Sequence, residues 1–65
     1  MEPWQERVIA EHAELKVRMD KLKAFLDSPQ SATIAFAEGC RLLEQFKYMD
    51  GYCMALNERI KAFVL

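Results

Sequence analysis

Two runs of apolar residues, each stepping alternately by four and three and separated by a single break, constrain this chain more than any other feature. The first run is Val8, His12, Leu15, Met19, Leu22 and Leu26. The second is Leu42, Phe46, Met49, Cys53, Leu56, Ile60 and Phe63. Such spacing keeps every member on one face of a helix. The break is Asp27-Ser28-Pro29-Gln30-Ser31, where Pro29 disfavours helix at Ser28 and cannot prolong one itself. With one break and two seams, the chain must double back as an antiparallel two-helix hairpin, an all-α fold. The expected boundaries are a helix over about 3–27, a loop over about 28–33 and a helix over about 34–64, all within one domain spanning 1–65.

Local signals agree. Pro3 suits a first helical turn, where its missing N–H costs nothing, and Glu2 and Glu6 sit at the positive end of the helix dipole. The start of the second helix is less sharply marked. Ser31 or Thr33 are candidate caps, Gly39 weakens the first turns, and Ser31 to Ala37 reads alternatively as a separate short turn. Gly51 lies inside the second helix at a cost of about 1 kcal/mol against alanine, or else marks a close approach by another backbone or a ligand.

The seams do not exhaust the apolar residues. Hydrophobic residues make up 52% of the chain, and Trp4, Ile9, Ala10, Ala13, Val17, Ala24 and Phe25 on the first helix, with Cys40, Leu43, Tyr48, Tyr52, Met54, Ala55, Ala62 and Val64 on the second, lie beside or opposite the seams. A 65-residue domain buries a modest share of its surface, so these side chains need cover from outside. The expected assembly is a compact homo-oligomer of hairpins.

Several function classes are disfavoured. Nine Lys and Arg against ten Asp and Glu leave a net charge of −1, which offers no global field for a DNA or RNA polymer or an anionic membrane. Cys40 and Cys53 fall in one helix, roughly 20 Å apart, beyond disulfide reach. With no CxxC pair and His12 as the lone histidine, no metal site is expected. His12 reads as a hydrogen-bonded core or interface residue. No phosphate loop or nucleophile–base pair is visible, and acids such as Glu11 and Glu14 have no cleft to desolvate them, so neither catalysis nor a cofactor is expected. The start MEPWQERV lacks the pattern of a signal peptide, and no apolar run approaches membrane-spanning length. A cytosolic, soluble protein is the expectation.

The binding candidates each carry two readings. Lys16, Arg18, Lys21 and Lys23 form either a solvated face, with pairs such as Glu14–Arg18, or a phosphate grip in which Arg18 and Lys21 meet one anion. Trp4 is either a plug over the neighbouring helix or a stacking platform beside Arg7. Tyr48, Tyr52 and Arg59 are either packing with a surface arginine or a face for a planar ligand.

A more specific expectation comes from likeness. The string Gln5, Arg7-Val8, Glu11, Glu14-Leu15, Arg18, Lys21-Leu22 and Phe25, joined to Glu38, Leu42, Gln45, Met49, Tyr52, Leu56 and Arg59-Ile60, resembles the short phage hairpin family of anti-CBASS sponges. That fold is also the hairpin domain of the anti-Thoeris sponges. The likeness runs from Pro3 to Phe63 and rests on joint spacing across both helices.

The resemblance implies a non-enzymatic phage protein acting in the host bacterial cytoplasm. It implies sequestration of cyclic oligonucleotide or cyclic ADP-ribose-type immune signals in pockets between protomers of an oligomer, typically a hexamer. It implies base stacking for Trp4, phosphate contact for Arg18 with Arg7 and Lys21 in support, and a second, trinucleotide pocket for Arg59. Asp20 departs from the family pattern, because a small hydroxyl residue is expected there and a carboxylate opposes phosphate. The hairpin is also expected to begin without an extension ahead of it. The alternative is a hairpin that docks on another protein and holds no small ligand, or a purely structural oligomer.

Overall fold

The structure, a computed structural model, describes residues 1–63. Helix α1 runs Pro3–Leu26, a 3-10 turn spans Pro29–Thr33, and helix α2 runs Phe36–Ala62. The two helices pack antiparallel into a rod of 46 × 15 × 14 Å. The second helix was expected to reach Val64, which lies outside the described residues.

Pro3 occupies the first turn of α1, and the side-chain oxygen of Gln5 accepts the backbone N–H of Glu2 at 2.8 Å, satisfying a donor that the helix start leaves orphaned. At the other end the Asp27 N–H closes on the Lys23 carbonyl, and the Lys23 ammonium meets the Asp27 carboxylate at 3.0 Å. Pro29 then starts a tighter turn, not an α-helix.

Neither Ser31 nor Thr33 caps α2, contrary to one sequence expectation. The Ser31 hydroxyl donates back to the Ser28 carbonyl at 2.8 Å, and the Thr33 hydroxyl to the Gln30 carbonyl at 2.7 Å. Both hydroxyls are consumed inside the 3-10 turn, a local competition typical of these residues. Ile34 follows in extended backbone, and α2 opens on Ala35 with no side-chain cap. A separate short turn is present, but at Pro29–Thr33 and not over Ser31 to Ala37, since Phe36 and Ala37 already belong to α2.

Every member of both seams is buried or half-buried. Val8, Leu15 and Leu56 form the dry centre, with Met19, Met49, Cys53, Ile60 and Phe63 packed around them. His12 sits in its seam half-buried. A core one row wide leaves much apolar surface outside it: Phe36 is 88% exposed, Tyr48 65%, Met54 63% and Leu43 60%. Cys40 is exposed, Cys53 is half-buried, and both are free thiols. No helix among the described residues is long and apolar enough to cross a membrane.

Candidate functional site

Trp4, Arg7, Glu11, Glu14, Arg18 and Lys21 continue the four-and-three stepping along α1 on a stripe beside its buried seam. Arg41, Gln45, Tyr48, Tyr52 and Arg59 do the same on α2. The Tyr52 hydroxyl donates to the Glu11 carboxylate across the helix interface, so the two stripes flank one another on a single broad face. All five residues singled out from the sequence, Trp4, Arg7, Arg18, Lys21 and Arg59, lie on that face.

They do not form one cluster. The Trp4 ring meets Phe63 edge-on, with centroids 5.2 Å apart and planes at 89°. That contact and the Tyr52–Glu11 bond fix the register, so Arg59 lies level with residues 4–8 and Arg18 level with residues 45–49. Trp4, Arg7 and Arg59 therefore share the open end of the hairpin. Arg18 lies about 21 Å farther along α1 than Trp4, and about 16 Å farther than Arg7. Within one chain Trp4 groups with Arg59, and a pocket using both Trp4 and Arg18 needs two chains.

Trp4 packs against Phe63 at the end of α2, as the plug reading expects, and 45% of the residue stays exposed. Arg18 sits 3.9 Å from Glu14 with both side chains about 70% exposed (70% and 68%). A pair so wet contributes little to stability and leaves the guanidinium available. Lys21 is exposed, Lys16 likewise, and Lys23 is occupied by Asp27. Asp20 lies on the other side of α1, far from Arg59 in the same chain.

One element escaped the sequence reading. Arg41, Glu44, Gln45, Tyr48, Met49 and Tyr52 line a shallow groove level with Arg18 and Lys21. Tyr48 and Tyr52 stood out in the sequence, but Arg41 did not; extending their helical spacing back by two turns would have found it. Arg41 is held at 2.8 Å by Glu38, and the Tyr48 hydroxyl reaches Glu44 at 3.4 Å. Among the described residues no group of His, Cys, Asp and Glu could hold a metal.

The Tyr52 phenol is pushed above the ordinary tyrosine value, first by the hydrogen bond it donates to Glu11, then by desolvation and the Glu11 charge, while Arg59 pulls the other way. A raised folded-state value favours the protonated phenol, so its stabilising effect is complete at neutral pH and fades as pH climbs through and past about 10. In an alkaline ultraviolet titration Tyr52 should ionise above the ordinary tyrosine range. Tyr52→Phe should remove that late phase; a late phase that survives the substitution would place the interhelical bond elsewhere.

Comparison with known proteins now bears on this face. The profile of the Sequestin family matches residues 2–62. The chain belongs to the Sequestin family. It is also 35% identical over 60 residues, 92% of this chain and 94% of the other, to an uncharacterised 7.5 kDa protein of the denB-rIIB intergenic region of Enterobacteria phage T4. No solved structure matches it. The family match takes in the whole hairpin, so Trp4, Arg18 and Arg59 all fall inside the Sequestin region.

Proposed function

We propose that this Sequestin is a phage anti-defence protein that binds cyclic nucleotide immune signals and keeps them from CBASS- or Thoeris-like effectors in the host bacterial cytoplasm. The ligand class is a cyclic di- or trinucleotide or a cyclic ADP-ribose-type messenger. The observation that carries this reading is the single broad face bearing Trp4, Arg7, Arg18, Lys21 and Arg59 beside Tyr48 and Tyr52. Guanidinium groups meet phosphates through charge-assisted, forked hydrogen bonds, and aromatic faces take bases. The family name and the phage relative point the same way.

No chemical step is required. Sequestration needs slow release from an enclosed, preorganised pocket. The hairpin supplies half of such a pocket, since its face is shallow and its aromatic and central cationic groups stand too far apart to enclose one small ring. Copies assembled by symmetry, a hexamer in this reading, present each group more than once, which suits a ligand with two phosphates. Arg18 with Lys21 takes phosphate, Trp4 of a neighbouring copy takes a base, and Arg59 faces a second site.

Thermal shift against a panel of cyclic di- and trinucleotides and cyclic ADP-ribose isomers tests the proposal, with calorimetry on any hit. At least one ring-shaped nucleotide should raise the melting temperature, and protein purified from signalling bacteria should release it on denaturation. A folded protein indifferent to the whole panel would leave a helical module that docks on another protein.

A further inference from the structure

The outer face of α2 carries a second four-and-three seam that the hairpin leaves unused. Phe36, Cys40, Leu43, Lys47, Asp50, Met54, Asn57 and Lys61 follow the repeat without a gap. This line lies roughly 120° around the helix from the buried seam and runs for about 38 Å. All eight residues are exposed. Among the described residues, Lys47 and Asp50 enter no ion pair, although neighbours such as Arg41 and Lys61 do. Gly51, on the shoulder of this line, has nothing beyond its own stretch of helix within 4 Å of where a side chain would be.

The geometry points to a second copy of this chain as the occupant, its α2 lying antiparallel along this seam about a two-fold axis between Tyr48 and Met49. The order of residues is self-complementary about that point. Lys47 faces Asp50 of the other copy, and Asp50 faces Lys47. Next outward, Leu43 meets Met54; then Cys40 meets Asn57, and Phe36 lies along the aliphatic stem of Lys61. Each contact occurs twice, as an isologous interface demands, and the layers pair the two kinds of heptad position as antiparallel coiled coils do. A parallel partner is disfavoured, because it sets Lys47 against Lys47 and Asp50 against Asp50. Phe36, Leu43 and Met54, among the most exposed apolar residues of the chain, all gain cover in this one arrangement.

This seam deepens the oligomeric half of the proposed function but requires no nucleotide. In nucleotide-free protein carrying Cys53→Ala, Asn57→Cys should give a covalent dimer on mild oxidation, with Cys40 of one copy joined to the new thiol of the other in peptide mass mapping. Glu44→Cys, 13 residues and roughly 20 Å along α2 from the position that faces Cys40, should not. Lys47→Glu should raise the dissociation constant at least ~10-fold by placing like charges opposite one another, and Lys47→Glu with Asp50→Lys should restore association. Absence of the Cys40 cross-link, equal cross-linking by the Glu44→Cys control, or failure of the charge swap to rescue would each overturn the seam. A nucleotide panel without hits leaves all these readouts in place, so failure of sequestration and failure of the seam are told apart.

Discussion

Replacing Leu56 by alanine is expected to cost about 2–5 kcal/mol, the range for a large aliphatic side chain removed from a packed core. Leu56 is 1% exposed, the most deeply buried core side chain among the described residues, and it shares the dry centre with Val8 and Leu15. Small domains hold only 5–15 kcal/mol in total, and a hairpin of this size sits near the lower end. The cavity therefore removes a large fraction of what keeps the helices paired. Urea unfolding followed by circular dichroism reads the change at a fixed protein concentration, since association adds to apparent stability. Val17→Ala is the matched control: Val17 is 52% exposed, and its change should stay within about 0.5 kcal/mol. Equal effects of the two substitutions would remove Leu56 from the centre of the fold.

Arg18→Ala should weaken cyclic dinucleotide binding by about 1.5–3 kcal/mol, the scale of a hydrogen bond to a charged group and roughly a 10- to 150-fold loss of affinity. The structure makes this a clean experiment. Arg18 pairs with Glu14 at 3.9 Å, both side chains being largely exposed, so the ligand-free unfolding midpoint should barely move. Arg18→Lys keeps the charge but loses the forked geometry, and should fall between the two. Calorimetry with an unchanged affinity for Arg18→Ala would take this residue out of the pocket.

How far the sequence carried is best seen residue by residue. The stepping of Val8, Leu15 and Leu22 against Leu42, Met49 and Leu56 named the buried faces correctly, since each of these is buried or half-buried. Cys40 and Cys53 are separate free thiols as their spacing requires. The Glu14–Arg18 pair is present. The role of Ser31 and Thr33 was not legible. A hydroxyl that caps a following helix and one that closes a preceding turn look alike in sequence, and only the backbone path after Pro29 separates them. Arg41 escaped for a similar reason: a single arginine on a polar stripe gains meaning only once Tyr48, Gln45 and Tyr52 stand around it.

Periodicity by itself determined the two helices, their buried faces and the reversal between them, because side-chain direction along a helix follows from position alone. It could not set how far one helix slides along the other. That offset depends on where the 3-10 turn releases the chain and on which side chains meet across the gap, above all Trp4 with Phe63 and Tyr52 with Glu11. The offset places Arg59 beside Trp4, roughly 15–21 Å along the rod from Arg18. Whether separate charges act on one ligand or two is thus a property of the tertiary register, fixed by contacts between residues distant in sequence.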